Sequence, residues 1–163
     1  MDDAMRAKEE RKKVRNAWGE FLEGLPWDHY TTLTFGIKSG PDFARRAFGA
    51  WVRRLEREAG IPLLWFVGFE DGRLLGRLHL HALLGNTYDL TPGFMKTLWS
   101  SGFSRIVPFQ PKLGAAYYVT KYVTKELLDY DVSPNFAKAI AARERQYRLA
   151  DINPNSPKGA GNV

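Results

Sequence analysis

The chain has 163 residues, a formal net charge of +6 at pH 7 and no cysteine. This length is typical of one domain with a hydrophobic core, and the basic balance favours a polyanionic partner. The composition excludes disulfides and thiolate sites, and no phosphate-cradling GxxxxGK[ST] motif is present, which excludes an ATPase motor. The N-terminus lacks the apolar stretch of a signal peptide, and the longest apolar run, IPLLWFVGF, is too short to span a bilayer. We therefore expect a cytoplasmic protein without membrane association.

The first half of the chain predicts a helix, a strand and a second helix. Residues 3–24 are charged and helix-favouring, and their basic side chains are either a solvated face or an arm that contacts phosphates. Residues 29–37 are β-branched and aromatic and predict a strand, and we expect His29 to be exposed at its start. Apolar residues at helical spacing predict a helix over 42–59. The candidate core contacts of the first helix are Met5, Val14, Trp18, Phe21 and Leu22.

The second half of the chain predicts a hairpin, followed by further helices and one more strand. Residues 62–70 and 77–85 read as two strands joined by the turn DGRLLGR. We expect Ser133 to be the N-terminal cap of the last helix and Pro134 to be its first residue. Strands that mix with helices and pair in hairpins indicate an α+β fold with an antiparallel sheet. The other predicted segments are a helix over 91–102, a strand over 103–109, helices over 111–129 and 133–151, and a disordered tail over 153–163.

Two of the three histidines lie in the stretch GRLHLHALLG, residues 76–85. Because side chains alternate along a strand, His79 and His81 share one face, and the apolar residues between them face the core. Such a pair can bind one divalent ion, although it also occurs without a metal. Glu70 ends the preceding strand, and the hairpin would fold it back beside the histidines. The result is either a His/His/carboxylate site for Mn²⁺ or Mg²⁺ or an ordinary strand-end acid.

The stretch AYYVTKYVTK, residues 116–125, is the second unusual segment. Tyr118 and Tyr122 are four residues apart and share one face of a helix, with Lys121 and Lys125 on the same side. Two phenols beside two ammonium groups fit nucleophilic attack on a phosphate, because the cations would contact phosphate and favour the phenolate. The alternative is a packing helix with solvated lysines.

Three stretches, in this order, resemble the motifs of the HUH superfamily of rolling-circle replication initiators. TTLTF, residues 31–35, resembles the first motif, and HLH, residues 79–81, resembles the histidine–hydrophobic–histidine motif. YVTKYVTK, residues 118–125, resembles the two-tyrosine motif of the gene A type initiators of single-stranded DNA phages. In the initiators the histidine motif precedes the tyrosine motif along the chain, whereas conjugative relaxases have the reverse order.

The resemblance implies a ferredoxin-like or RRM-like, five-stranded antiparallel sheet with the histidines on a central strand. The catalytic core would cover residues 29–130, preceded by a basic helix over 1–28 and followed by a helix over 131–152 and the tail.

The resemblance also implies a reaction on single-stranded DNA at an origin or hairpin nick site of a phage or plasmid. Tyr118 or Tyr122 would attack a phosphodiester and leave a 5′-phosphotyrosine and a free 3′-hydroxyl. Lys121 and Lys125 would neutralise phosphate. A divalent metal ion would be held by His79, His81 and Glu70.

The expected partners are single-stranded DNA and, because no helicase motif is present, a host helicase in the cytoplasm of a bacterial or phage-infected host. A transposase of the same superfamily would use the same residues. A non-catalytic RRM-like single-stranded nucleic-acid-binding module explains the charge and aromatics but not the histidines, Glu70 and the tyrosines together. The candidate phosphate contacts are Arg45, Arg46, Arg53, Arg73, Arg77 and Arg105.

Overall fold

The computed structural model describes residues 2–71, 77–112, 114–116, 119–120 and 130–152. Residues 115–116 and 119–120 are helical. The predicted hairpin turn and the predicted tail lie outside the described residues. The helices are α1 (Asp3–Glu23), α2 (Pro41–Ala59), α3 (Pro92–Thr97) and α4 (Phe136–Ile152). The strands are β1 (His29–Thr34), β2 (Leu64–Asp71), β3 (Leu78–Gly85), β4 (Ser104–Pro108) and β5 (Tyr130–Val132).

The strands form one five-stranded sheet in the order β4-β1-β3-β2-β5, and every neighbouring pair is antiparallel. The run β1–α2–β2–β3–α3–β4 is the βαββαβ arrangement of ferredoxin-like folds. The expected α+β class, the β2–β3 hairpin and the central position of the histidine strand are therefore confirmed. β5 was not predicted from the sequence, and the expected boundary between residues 29–130 and 131–152 runs through it.

One face of the sheet is covered by α2 and α3. Alternation along the strands turns Leu33, Val67 and Leu80 to this face, where they pack with Trp51 of α2 and Met95 of α3. The Trp51 side chain is 1% exposed, and its Nε1 donates to the Met95 carbonyl over 3.1 Å. Trp51 is thus a core residue, because its ring is enclosed and its one polar group is satisfied.

On the opposite face, hydrophobic side chains of the described elements form a cluster at one end. Phe66 of β2 and Leu83 of β3 form a second cluster with the end of α1, the start of α4 and the helical residues 115–116 and 119. Further along the same face, alternation places His81 and His79, two and four residues before Leu83. The histidines therefore lie on the part of this face that the hydrophobic cluster of the described residues does not include.

Two expectations about burial near the N-terminus are wrong. Met5 is 58% and Val14 is 48% exposed, since residues 3–17 of α1 are exposed throughout and only its last turns, from Trp18, join the core. His29, expected at the surface, is 6% exposed, and its Nδ1 lies 2.8 Å from the Thr87 hydroxyl. Burial lowers the pKa of His29, an effect that the carboxylate of Asp28 opposes.

The predicted start of the last helix is also wrong. α4 begins at Phe136 rather than at 133–134. Ser133 does not act as a helix cap in this structure, because its hydroxyl accepts from the Trp65 amide over 3.1 Å and its own amide donates to the Trp65 carbonyl. These two bonds continue the contact between β5 and β2 beyond Val132. None of the helices in the described part of the chain is long and apolar enough to cross a membrane.

Candidate metal and nucleic-acid site

The strand register brings Glu70 beside the two histidines. His79 of β3 is opposite Thr34 of β1 on one side and opposite Glu70 of β2 on the other. His81 is opposite Thr32 and Gly68. Gly68 is buried and has no side chain, so it places no polar group beside the His81 ring.

The His81 ring is held at both of its nitrogens. Its Nε2 lies 3.2 Å from Glu70 Oε2. Its Nδ1 lies 3.1 Å from the Tyr30 hydroxyl and 3.3 Å from the Thr32 hydroxyl. The Tyr30 and His81 rings are nearly parallel, with an interplanar angle of 14° and centroids 6.4 Å apart. His81 is 5% exposed, so its orientation is set by these neighbours rather than by solvent.

The donor atoms of this pair suit a divalent ion. Two adjacent ligands with bonds of about 2.0–2.2 Å to one ion lie roughly 3 Å apart, close to the 3.2 Å between His81 Nε2 and Glu70 Oε2. When Nδ1–H donates to a hydroxyl oxygen of Tyr30 or Thr32, Nε2 carries the ring's lone pair and can bind a metal. The imidazole and the carboxylate are both ligand types that Mn²⁺ accepts.

His79 occupies the neighbouring position on the same face but is not part of this pair. It is half-buried and makes no hydrogen bond or ion pair with another described residue. Within the described ranges no three His, Asp or Glu side chains converge as a complete metal site. The structure thus joins two of the three predicted ligands and places the third, His79, opposite Glu70 and two residues before His81.

The predicted phosphate contacts are divided between the two faces. Arg105 of β4 is opposite Thr32, which places this exposed cation on the histidine face, and exposed Arg77 directly precedes β3. Arg45, Arg46 and Arg53 belong to α2, the helix that covers the other face. Arg45 is engaged there: its Nε lies 2.9 Å from Asp131 Oδ2 and its guanidinium lies over the Phe69 ring.

Five of the predicted site residues lie outside the described residues: Tyr118, Tyr122, Lys121, Lys125 and Arg73. Their described neighbours locate part of the predicted helix over 111–129, which we call the tyrosine segment. Ala116 and Val119 are fully buried or nearly so, in the cluster that contains Phe66 and Leu83. The described turns of this segment therefore pack on the same face of the sheet as the histidines.

Tyr30 and Thr32 are site residues that the sequence reasoning missed. Both lie in or beside the TTLTF stretch, and alternation alone places them on one face of β1. What the sequence could not show is the register, since the contacts with His81 join residues 51 and 49 positions apart.

The model of a family described as Replication-associated protein ORF2 matches residues 28–127, well over half of the chain. The chain belongs to this family. The matched range begins one residue before β1 and includes β1 to β4, whereas β5 and α4 lie outside it. It contains the predicted metal ligands and nucleophiles: Glu70, His79, His81, Tyr118 and Tyr122. Membership makes the protein replication-associated, which agrees with the expected role in replication.

None of the curated proteins matches the chain. Among solved structures, the hypothetical protein ORF119 from Sulfolobus islandicus rod-shaped virus 1 is similar, with 21% identity and a TM-score of 0.47 over 75% of this chain and 97% of that one. A similarity at this level says nothing about activity.

Proposed function

We propose that this member of the ORF2 replication-associated family is a metal-dependent enzyme that nicks and joins single-stranded DNA and so initiates rolling-circle replication. The observation that carries the proposal is the His81–Glu70 pair, with Nε2 3.2 Å from Oε2 and Nδ1 held by Tyr30 and Thr32. This pair lies on the sheet face against which the described turns of the tyrosine segment pack. The larger hydrophobic cluster lies on the other face of the sheet and contains neither the pair nor Tyr30 and Thr32.

His81, Glu70 and His79 would hold Mn²⁺ or Mg²⁺. When bound, such an ion polarises a phosphate oxygen and stabilises the negative charge that develops there. Tyr30 and Thr32 contribute by fixing the ring and the tautomer of His81, because an Nδ1–H that donates to their oxygens keeps the proton off Nε2.

The covalent step belongs to Tyr118 or Tyr122. The phenol loses its proton, its oxygen forms a bond to the phosphorus, and the bond from phosphorus to the 3′-oxygen breaks. The 3′-oxygen takes up a proton and leaves as a free hydroxyl, while the 5′-phosphate stays on the tyrosine. Attack of a 3′-hydroxyl on the phosphotyrosine reverses these bonds, so joining needs no other energy source. Lys121 and Lys125 lower the cost of the phenolate and of the phosphate charge.

With two tyrosines, one can hold the DNA while the other cuts the next copy of the nick site. Unwinding of the duplex ahead of the nick would be left to a host helicase. Both statements depend on the covalent step above.

The test is capture of a covalent protein–DNA complex. We would incubate the protein with a pool of single-stranded oligonucleotides and Mn²⁺ and separate the products on a denaturing gel. The expected result is a shifted band that requires metal, is lost in the Tyr118→Phe/Tyr122→Phe double variant and is lost in His81→Ala. Tyr88→Phe is the matched control, since this tyrosine is 73% exposed, and it should retain the band.

A non-catalytic single-stranded nucleic-acid-binding module is the second candidate. It is favoured by Phe103, which is 69% exposed and directly precedes β4, the strand that carries Arg105. Exposed aromatic rings beside cations are typical of surfaces on which bases stack. Tight binding to oligonucleotides without a covalent band under any divalent metal would establish this second function and contradict the first.

A further inference from the structure

A cavity of about 320 Å³ opens on the histidine face, between β1, β4 and the start of the tyrosine segment. Tyr30, Val107 and Pro108 form its apolar and aromatic wall, and Arg105 and Gln110 supply polar groups. Its volume is at the lower end of the range of about 300–1,000 Å³ for small-molecule sites. The cavity therefore suits one nucleotide-sized group rather than a helix or a duplex.

The lining matches the chemistry of a nucleobase. An aromatic ring and aliphatic side chains accept the face of a planar, unstacked base. A glutamine amide both donates and accepts, and a guanidinium donates, which are the groups that read base edges. Arg105 and Gln110 are exposed, so they can turn toward an occupant. None of the lining residues in the described part of the chain is acidic, so nothing there repels the adjoining phosphates.

Tyr30 connects this cavity to the metal-binding pair. Its ring lines the cavity, and its hydroxyl lies 3.1 Å from His81 Nδ1. Arg105 is opposite Thr32 in the β1–β4 register, and Thr32 is in turn opposite His81. Tyr30 is thus in contact with both the cavity and His81.

We propose that the cavity is a base-binding pocket that holds one unstacked nucleobase beside the nicked phosphate, with Gln110 and Arg105 reading its edge. The proposal deepens the proposed function and rests on it, because that function supplies the single-stranded DNA. The pocket makes the protein selective for the base at one position next to the nick.

The test measures binding without metal, so that no cleavage occurs. The probes are fluorescein-labelled oligo(dA), oligo(dC) and oligo(dT) of about 12 nucleotides, and a chain of the same length made of abasic sites. Fluorescence anisotropy gives the dissociation constants for the wild type, for Gln110→Ala and for the control Gln146→Ala, an exposed glutamine on α4.

We expect the wild type to bind its preferred base roughly tenfold or more tightly than the abasic chain. Gln110→Ala should lose about fivefold or more in affinity for that base and bind the abasic chain within about twofold of the wild type. Gln146→Ala should change neither. Equal losses for the preferred and abasic chains, or no loss at all, would overturn the base pocket. Because neither result depends on a covalent complex, the base pocket and the nicking reaction can fail separately.

Discussion

Replacing Tyr30 with phenylalanine removes one hydroxyl and leaves the ring that packs on the sheet. Among the described residues, that hydroxyl lies 3.1 Å from His81 Nδ1, and the Thr32 hydroxyl lies 3.3 Å from the same nitrogen. Loss of such an outer partner of a metal-binding histidine typically costs 10- to 100-fold in metal affinity. Because Thr32 remains, we expect Tyr30→Phe to weaken Mn²⁺ binding by about tenfold, equivalent to about 1.4 kcal/mol. The Tyr30→Phe/Thr32→Val double variant should approach 100-fold.

Isothermal titration calorimetry with Mn²⁺ measures this effect directly, and thermal unfolding in the presence of EDTA checks that each variant is folded. Tyr88→Phe is the control, because it removes a tyrosine hydroxyl from an exposed position away from His81. If the double variant binds Mn²⁺ within about twofold of the wild type, the hydroxyls do not support a metal ligand and the reasoning is refuted.

Three further predictions concern the core, the buried histidine and the exposed aromatic. Leu80→Ala should lower the free energy of unfolding by about 2–5 kcal/mol, since Leu80 is fully buried; a urea titration that shows no loss would contradict its place in the core. Because the pKa of His29 is lowered in the folded protein, the imidazole of the unfolded chain binds a proton more readily than that of the folded protein. Stability should therefore fall as pH drops below about 6.5, and His29→Asn should reduce this fall between about pH 7.5 and 5.5; equal urea-midpoint shifts in both proteins would refute the assignment. Phe103→Ala should weaken binding to oligo(dT) by about fivefold or more at an unchanged melting temperature, measured by anisotropy; unchanged affinity would exclude stacking on this ring.

Local patterns predicted most of the fold because the signals themselves are local. The apolar spacing of α2 and the alternation around His79 and His81 depend only on neighbours in the chain. The apolar character of Met5 and Val14 misled at α1, because no described element covers that part of the helix. An apolar side chain in a helix can be buried, but the local sequence does not show whether a partner reaches it.

β5 and the start of α4 could not be predicted, because long-range contacts decide them. Three residues, Tyr130–Val132, carry too little pattern to mark a strand, and their pairing is with β2. Ser133 followed by Pro134 has the sequence of a helix start. In the structure the hydroxyl of Ser133 instead accepts a hydrogen bond from the backbone amide of Trp65, 68 positions away.

The candidate site was predicted in part. The hairpin and strand alternation were enough to place Glu70 beside the histidines, since these residues are close in sequence. The support from Tyr30 and Thr32, and the cavity lined by Gln110, depend on the order of β4 and β1 next to β3, which no local motif contains. Tyr118 and Tyr122 remain predictions.

The most direct test of the central claim identifies the amino acid that becomes bonded to DNA. After incubation with single-stranded oligonucleotides and Mn²⁺, the protein would be digested with protease and nuclease, and the nucleotide adduct located by tandem mass spectrometry. The chain has seven tyrosines, so the position of the adduct is informative. We predict a 5′-phosphotyrosine on Tyr118 or Tyr122 that is absent from His81→Ala. An adduct on another residue, or none from a protein that binds the same DNA tightly, would contradict the account.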